Sequence, residues 1–190
     1  MVVVTLRFAV CFHTPFRVAA GRAANGADSV VDRGDLLPAS SLKGVMRSAA
    51  RDLLRLPATL VDAVYGTSGT PCPWSWSDST LTGDATSVRR RARIQIDDAT
   101  HTTVDTALAI AEEVHAADTT FTIDRTAYLS PAVRARHEAV LIASARAVAA
   151  VGSDRRRGLG WVSLTPLEPA WTAQHADQLT DLLHPTDGPR

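Results

Sequence analysis

The sequence is nearly devoid of lysine and poor in cysteine. Among its twenty basic residues Lys43 is the only lysine, and all the others are arginine. Since an ammonium and a planar guanidinium bind their partners differently, the retained lysine indicates a position that needs a compact cation. Cys11 and Cys72 are the only cysteines, which are too few for a disulfide framework or a zinc site. Each is expected in or beside a strand as a small apolar residue.

The chain also lacks a net charge and a long apolar run. Twenty basic and twenty acidic residues balance at pH 7, so any nucleic-acid binding has to come from local arginine clusters. The apolar run at residues 1–11 is interrupted by Thr5 and Arg7, and it fits neither a membrane span nor a signal peptide. We therefore expect a cytoplasmic protein whose 190 residues form one well-cored domain.

The most informative stretch is LPASSLKGVMRSAAR at residues 37–51. Ser40 or Ser41 can cap a helix, and apolar residues recur behind them at three- and four-residue spacing, which predicts a helix over 41–56. The basic residues of this helix form one stripe: Lys43, Arg47 and Arg51. Two serines, a lysine and an arginine at a helix N-terminus suit a phosphate group. The alternative is an ordinary amphipathic helix with a solvated charged face.

Other elements follow from periodicity and turn residues. The predicted order is a strand at 2–12, an irregular connection at 13–35, the helix, a strand at 74–81, a hairpin of 106–116 with 119–128, a helix at 132–151, and a strand at 161–164. The alanine-rich first half of that hairpin also fits a helix. In the second strand, Trp74 and Trp76 are expected as a buried pair rather than as platforms for stacked bases.

Two more arginine clusters lie outside the helix. Residues 84–104 combine an arginine run with a short alternating segment and indicate a protruding basic hairpin, the alternative being a solvated loop. The loop at 152–160 holds an arginine triplet between glycines, which can present N–H groups and guanidinium forks to phosphates, although it also fits a simple turn. The candidate nucleic-acid-binding residues of the two clusters are Arg89, Arg91, Arg93, Gly152, Arg155, Arg156, Arg157 and Gly158.

This succession of elements resembles a ferredoxin-like βαββαβ domain with an insertion. We predict an α+β fold in which a ferredoxin-like (RRM-like) domain spans residues 1–165. A basic β-hairpin at 84–104 forms a thumb-like insertion in it, and residues 166–190 form a C-terminal tail with one helix near 170–183.

Six segments form a recognisable set: LPASSLKG at 37–44, Arg47-Ser48, Val64-Tyr65-Gly66, Trp76-Ser77-Asp78-Ser79, RARIQID at 91–97, and the glycine-rich loop at 152–160. Together they resemble the motifs of the RAMP superfamily of CRISPR-associated proteins. The resemblance covers about residues 3–165 and is closest to the backbone subunits of type III effector complexes.

The resemblance implies a function in antiviral defence. In this family the helix motif and the glycine-rich loop hold the backbone of a guide RNA, copies of the subunit stack along the guide, and thumbs separate the guide and its target at intervals. It therefore implies four partners: guide RNA (crRNA), target RNA, other CRISPR effector subunits, and repeated copies of this chain.

Some members of the family also cut target RNA, using an aspartate within an Asp-Ser-x-Val-Val type stretch after the first strand. Residues 26–31, GADSVV, resemble that stretch. The resemblance thus makes Asp28 the candidate catalytic residue of a metal-dependent endoribonuclease, with Mg²⁺ as the candidate cofactor. The chain departs from the family at Ala19-Ala20-Gly21, where members often have several glycines. The alternative role for Asp28 is to cap a turn by accepting from the backbone two residues on.

Two other functions compete with guide binding. His13, which follows the first strand, could serve as general acid or base in a guide-processing endoribonuclease of the same superfamily. Such enzymes usually have two tandem ferredoxin-like domains, for which the chain is too short. The third hypothesis is a structural interaction domain whose arginine clusters bind acidic protein surfaces.

Overall fold

The computed structural model describes residues 5–79, 81, 86–105 and 107–183. Its elements in chain order are β1 (Thr5–Phe12), α1 (Ala39–Ser48), α2 (Ala58–Tyr65), β2 (Trp74–Trp76), β3 (Ser87–Arg93), β4 (Ala109–His115), β5 (Thr119–Arg125), α3 (Pro131–Ala147), β6 (Val162–Glu168) and α4 (Ala173–Leu183). The beginning of the predicted first strand, residues 2–4, lies outside the described residues.

Four strands form an antiparallel sheet in the order β2-β5-β1-β6. With β3 and β4 set aside, this is a βαββαβ path in which the first and last strands lie side by side, as in a split βαβ domain. The predicted α+β, ferredoxin-like class is therefore confirmed.

One face of this sheet carries the core. Along β1, Leu6, Phe8 and Val10 are buried and alternate with more exposed residues, because successive side chains of a strand point to opposite faces. Phe8 stacks on Phe121 of β5 with ring centroids 5.0 Å apart. The opposite face of the sheet bears mostly small and hydroxyl side chains, and we call it the open face.

The helices cover the apolar face. α1 buries Leu42 and Met46, and it continues into a π-helical segment at Ala49–Leu53 that buries both of its alanines. α3 contributes a nearly continuous buried stretch from Ala139 to Ala145. Each fully buried side chain of Leu or Met size stabilises the fold by about 1.5–3 kcal/mol relative to an exposed one. The predicted helix over 41–56 thus exists, although it begins earlier and changes its winding after Ser48.

The strand pairing around the arginine run differs from the prediction. β3, which holds this run, pairs along its whole length with β4, from Ser87 opposite His115 to Arg93 opposite Ala109. β5 instead lies between β1 and β2. The predicted hairpin of 106–116 with 119–128 is therefore wrong, although both of its strands exist, because the two edges of β5 are taken by the main sheet.

We call the antiparallel pair β3–β4 the ribbon. Its second strand is anchored to the domain, since the Phe16 and Val114 backbones exchange hydrogen bonds of 3.0 and 2.8 Å and both side chains are fully buried. The basic hairpin predicted within 84–104 is thus extended to residue 115, because the partner strand of the arginines lies beyond the predicted boundary.

The C-terminal region packs on the domain. β6 runs through Glu168, three residues past the predicted domain end, and α4 packs against α3. Leu182 of α4 is buried, and the guanidinium carbon of Arg146 on α3 lies 4.9 Å from the centroid of the Trp171 ring. Within the described residues, no helix is long and apolar enough to cross a membrane.

Candidate functional site

The N-terminus of α1 is not capped by a serine. Pro38 occupies the N-cap position, and Ser40 and Ser41 lie inside the first turn without a capping side-chain bond. The backbone N–H of Ala39 donates instead to Oδ1 of Asp78 at 3.1 Å. The predicted serine cap is therefore wrong: a carboxylate that follows β2 supplies the acceptor, and a negative charge is favourable there because of the helix dipole.

The basic stripe, which runs along α1 and the π-helical segment after it, contains one cation without a carboxylate partner and two paired ones. Nζ of Lys43 lies 5.3 Å from the centroid of the Trp76 ring, in a cation–π contact. Among the described residues no carboxylate lies within 4.0 Å of this ammonium. Arg47 donates to Asp62 at 2.9 Å, and Arg51 donates to Asp52 at 2.8 Å.

The arginine–aspartate pairs change what the stripe can bind. The hydrogen bond from Arg51, with a second from Ser48, lowers the pKa of Asp52 to about 2. Asp52 therefore stays ionised and partly neutralises Arg51 at neutral pH. Of the three predicted residues, Lys43 is the one that offers an uncompensated charge.

The tryptophans of β2 are core residues, as expected. Trp74 and Trp76 are both buried, and Nε1 of Trp76 lies 3.4 Å from the sulfur of Met46. Nε1 of Trp74 donates to Nδ1 of His137 at 3.2 Å. Burial lowers the pKa of His137, and the neighbouring charge of Arg136 lowers it further. His137 is thus a neutral acceptor within the core.

The glycine-rich loop at 152–160 lies on the segment that follows β1. Gly152 has φ +76°, and a Cβ there would come within 2.3 Å of the carbonyl oxygen of Arg17. The same carbonyl accepts the N–H of Ser153 at 2.7 Å, and Pro15 accepts the N–H of Gly160 at 2.7 Å. Only glycine permits this close backbone approach, so the loop is held rigidly at both ends.

The arginine triplet is exposed at the tip of this loop. Arg155, Arg156 and Arg157 form one 3-10 turn, and the N–H of Arg157 donates to the carbonyl of Asp154 at 2.7 Å. Within the described part of the chain, no carboxylate lies within 4.0 Å of their guanidinium groups. Three unpaired guanidinium groups on a fixed turn can contact phosphates.

Asp154 links the loop to the ribbon through buried and half-buried charges. Its carboxylate accepts from Arg17, and from Nη1 of Arg93 at 2.9 Å. Glu113 of β4 in turn lies 3.7 Å from Arg93 and 3.5 Å from Arg91. The result is a continuous chain of alternating charge from the segment after β1 to the arginines of β3.

Asp28 lies in the same region as Asp154 and Arg93. A cleft of about 340 Å³, which we call the arginine cleft, is lined by residues of four segments, among them Arg17, Asp28, Arg93, Asp154 and Arg157. It brings together the candidate catalytic residue, one candidate residue of the ribbon and one of the glycine-rich loop. Their meeting could not be seen in the sequence, where these three residues are 65 and 64 positions apart.

The carboxylate of Asp28 makes a tertiary contact, not a local turn. Its Oδ2 accepts the N–H of Ile110 on β4 at 2.8 Å, and the N–H of Asp28 donates to the carbonyl of Ile110 at 2.8 Å. The predicted alternative, a cap over the next two residues, is therefore replaced by a bond to the ribbon. This bond holds the exposed Asp28 at the wall of the cleft.

The residues present offer little to a metal by themselves. Within the described residues, no three His, Cys, Asp or Glu side chains cluster as metal ligands. Asp154, the other carboxylate of the cleft, is already bonded to two guanidinium groups. A single carboxylate fits Mg²⁺ only in sites where phosphate oxygens and waters complete the octahedron.

The remaining predicted residues lie apart from the cleft. Lys43 and the α1 N-terminus are next to β2, at the opposite edge of the sheet from β6. His13, the residue of the competing nuclease hypothesis, is exposed and its Nε2 lies 2.7 Å from Oγ of Ser163.

Sequence reasoning missed the acidic partners. Asp78 and Glu113 are far in sequence from the helix motif and the arginine run that they contact, so only the fold shows these contacts. Asp154 directly precedes the arginine triplet, and this position in the sequence could have identified it as a partner for arginine.

The fold combines three features: a ferredoxin-like sheet, an inserted arginine ribbon, and a glycine-rich loop before the last strand. These are the features that the resemblance to the RAMP superfamily predicts. The family model of the RAMP superfamily matches residues 12–163. This chain therefore belongs to the RAMP superfamily. No curated protein matched the sequence.

Two solved structures of type III-B assemblies contain similar chains. One is a cryo-EM structure of type III-B Cmr-beta in the apo state, with TM-score 0.69 and 14% identity, covering 86% of this chain and 97% of that chain. The other is a cryo-EM structure of type III-B Cmr-beta bound to cognate target RNA, with TM-score 0.66 and 13% identity, covering 87% and 98%. At these identities the likeness shows the fold.

Proposed function

We propose that this chain is a guide-RNA (crRNA) binding backbone subunit of a type III CRISPR effector complex, acting with target RNA, other effector subunits and repeated copies of itself. The observation that carries the proposal is the convergence of Asp28, the ribbon and the glycine-rich loop on one cleft in a RAMP superfamily chain. The similar solved chains come from such an assembly, in one case with its target RNA.

The distribution of charge supports contact with an extended strand. Lys43 lies by β2, whereas the arginine triplet precedes β6 at the far edge of the sheet. Three strand spacings separate these edges, or roughly 14 Å at about 4.8 Å per spacing. An RNA backbone that crosses the domain can therefore meet both groups, which a compact anion cannot do.

Purification tests this proposal directly. We expect the chain, expressed with a guide-encoding array, to retain nuclease-sensitive small RNA of uniform sequence. Sequencing of that RNA should recover the array. A clean protein spectrum with no bound RNA would instead favour an interaction domain that binds acidic protein surfaces, and cleaved guide precursors would favour the nuclease with His13.

A charge deletion tests the role of α1. Lys43→Ala combined with Arg47→Ala should weaken the binding of a guide-length single-stranded RNA. It should also flatten the salt dependence by about 0.7 log units of slope for each phosphate that the protein no longer neutralises. The matched control is Arg134→Ala with Arg136→Ala, which removes the same charge from α3. Equal affinity and slope in both double variants would contradict phosphate binding at α1.

We propose cleavage of target RNA as a second activity, centred on Asp28. The exposed carboxylate faces a cleft that is also lined by Arg157, whose unpaired guanidinium group can position a phosphate group. Together with phosphate oxygens, Asp28 would hold Mg²⁺, which in such sites neutralises charge on the reacting phosphate.

The assembled complex, given matched target RNA and magnesium, tests this second activity. Regular cuts should disappear in Asp28→Ala and remain in Asp32→Ala, which removes an exposed aspartate from the same connection. Undiminished cutting in Asp28→Ala would remove the assignment and leave guide binding untouched.

A further inference from the structure

Trp161 is a large aromatic side chain whose position is not explained by the core. It is 54% exposed, whereas Trp74 and Trp76 are 3% and 8% exposed. Trp171 stacks on His175 and lies beside Arg146. Across the part of the chain that the structure describes, Trp161 is the one tryptophan without a ring contact to another aromatic or cationic group.

The ring of Trp161 belongs to the open face of the sheet. Along β6, Val162 and Leu164 are buried against the helices, so Trp161 and Ser163 point the other way. Ser163 lies opposite Cys11 of β1 and contacts the His13 ring. Because Trp161 itself is more than half exposed, its indole is accessible to a planar ligand.

The backbone under this ring is fixed. The N–H of Trp161 donates to Oγ1 of Thr14 at 2.9 Å, and its carbonyl accepts the N–H of His13 at 2.8 Å. Gly160 before it has φ +74°, and a Cβ there would lie 2.0 Å from the carbonyl oxygen of Val151. Binding of a ligand to this ring would therefore cost little conformational entropy in the protein, because the backbone that carries the ring is already held in place.

Charges around Trp161 separate a place for phosphates from a place for a base. The exposed arginine triplet at 155–157 ends four residues before it on the same rigid loop. At the neighbouring end of β1, Asp118 accepts the N–H of Phe12 and raises the pKa of the Cys11 thiol through a hydrogen bond. A carboxylate repels phosphate, so the backbone of a ligand is directed to the arginines.

We infer that Trp161 is a nucleobase-stacking site, on which one unpaired base of a single-stranded RNA lies while the arginine triplet contacts the adjoining phosphates. This inference rests on the proposed RNA-binding function and adds a base contact to it. Every base has a π face, so the site should be tolerant of sequence.

The test uses the full chain, freed of bound RNA, and two oligoribonucleotides of equal length, one intact and one with abasic positions. Wild-type protein should bind the intact RNA more tightly. Trp161→Ala should lose on the order of 10-fold in affinity for intact RNA, with an unchanged salt slope, since stacking releases no counterions. Trp161→Phe should retain most of the affinity.

The abasic RNA gives the decisive readout. Trp161→Ala should bind abasic RNA as tightly as the wild type does but should no longer bind intact RNA more tightly, whereas general misfolding would weaken the binding of both RNAs. If the variant discriminates between them as the wild type does, the inference is overturned while RNA binding stands. If Trp161→Ala loses self-association rather than affinity for RNA, the open face binds a second copy of the chain, and the inference is overturned as well. Failure of the wild type to bind either RNA would overturn both the inference and the proposed function.

Discussion

Replacement of Asp154 tests whether the charge chain between the glycine-rich loop and the ribbon holds this part of the domain together. Asp154→Asn is the appropriate change, because Asp154 has φ +56° and asparagine tolerates this left-handed conformation. The variant keeps the shape of the side chain and removes its charge. Arg17 and Arg93 then lose their shared partner.

The expected cost follows from burial. The side chain of Arg17 is only 8% exposed, and its Nε already has no hydrogen-bond partner. Removing one member of a buried ion pair costs about 3–5 kcal/mol, because the other charge stays uncompensated. Asp154 is 23% exposed, and Arg93 retains Glu113 at 3.7 Å. We therefore expect a loss of about 2–4 kcal/mol in the free energy of unfolding. This is less than the cost for a fully buried pair, because Asp154 is partly solvated and Arg93 keeps a second carboxylate partner.

Thermal and urea denaturation measure this loss. For a chain of this size, a melting temperature lowered by roughly 5–15 °C is expected. Asp62→Asn is the matched control. Asp62 pairs with Arg47 at 2.9 Å, which is also the distance between Asp154 and Arg93, but both side chains of the Asp62–Arg47 pair are at least 39% exposed. An exposed pair contributes about 0–1 kcal/mol. If the two variants lose the same stability, burial of Arg17 is not what makes the Asp154 pair important.

Two further predictions concern the core and the loop. Because burial lowers the pKa of His137 in the folded state, the unfolded state takes up the proton first, and stability is lost as pH falls below about 6.5. Protonation also removes the Nδ1 acceptor of Trp74, so melting temperatures measured between pH 7 and 5 should fall less in His137→Asn than in the wild type. Gly152→Ala should destabilise the fold by at least about 1 kcal/mol more than Gly158→Ala. Both glycines have positive φ, but only at Gly152 would a Cβ meet the backbone of Arg17; equal melting temperatures of the two variants would contradict this close approach.

The helix motif illustrates how far local reasoning reaches. Hydrophobic spacing correctly predicts a helix with Leu42 and Met46 on its buried side. The choice of Ser40 or Ser41 as its cap is wrong, since the acceptor at the N-terminus is Asp78, far along the chain. Capping preferences describe what a residue can do locally, and they cannot include a competitor that another strand brings to the same N–H group.

Strand pairing shows a second limit. The residue pattern predicts strands that include 109–115 and 119–125, and their proximity in sequence favours a hairpin between them. In the fold β5 pairs with β1 and β2, and β4 pairs with the arginine strand β3. Partner choice depends on which edges of the sheet remain open, and this is a property of the whole topology.

Side-chain chemistry within a few residues of the chain is enough to specify the alternation that makes β1 and β6 amphipathic, the helical spacing of α1, and the glycines and arginines of the loop at 152–160. The tertiary structure was needed to bring Asp28, Arg93 and Arg157 to one cleft, to pair Arg47 with Asp62, and to leave Lys43 over Trp76. The reason is that the pairing of strands in the main sheet fixes which distant segments become neighbours. The charges of those neighbours then determine which cations remain free to bind a ligand.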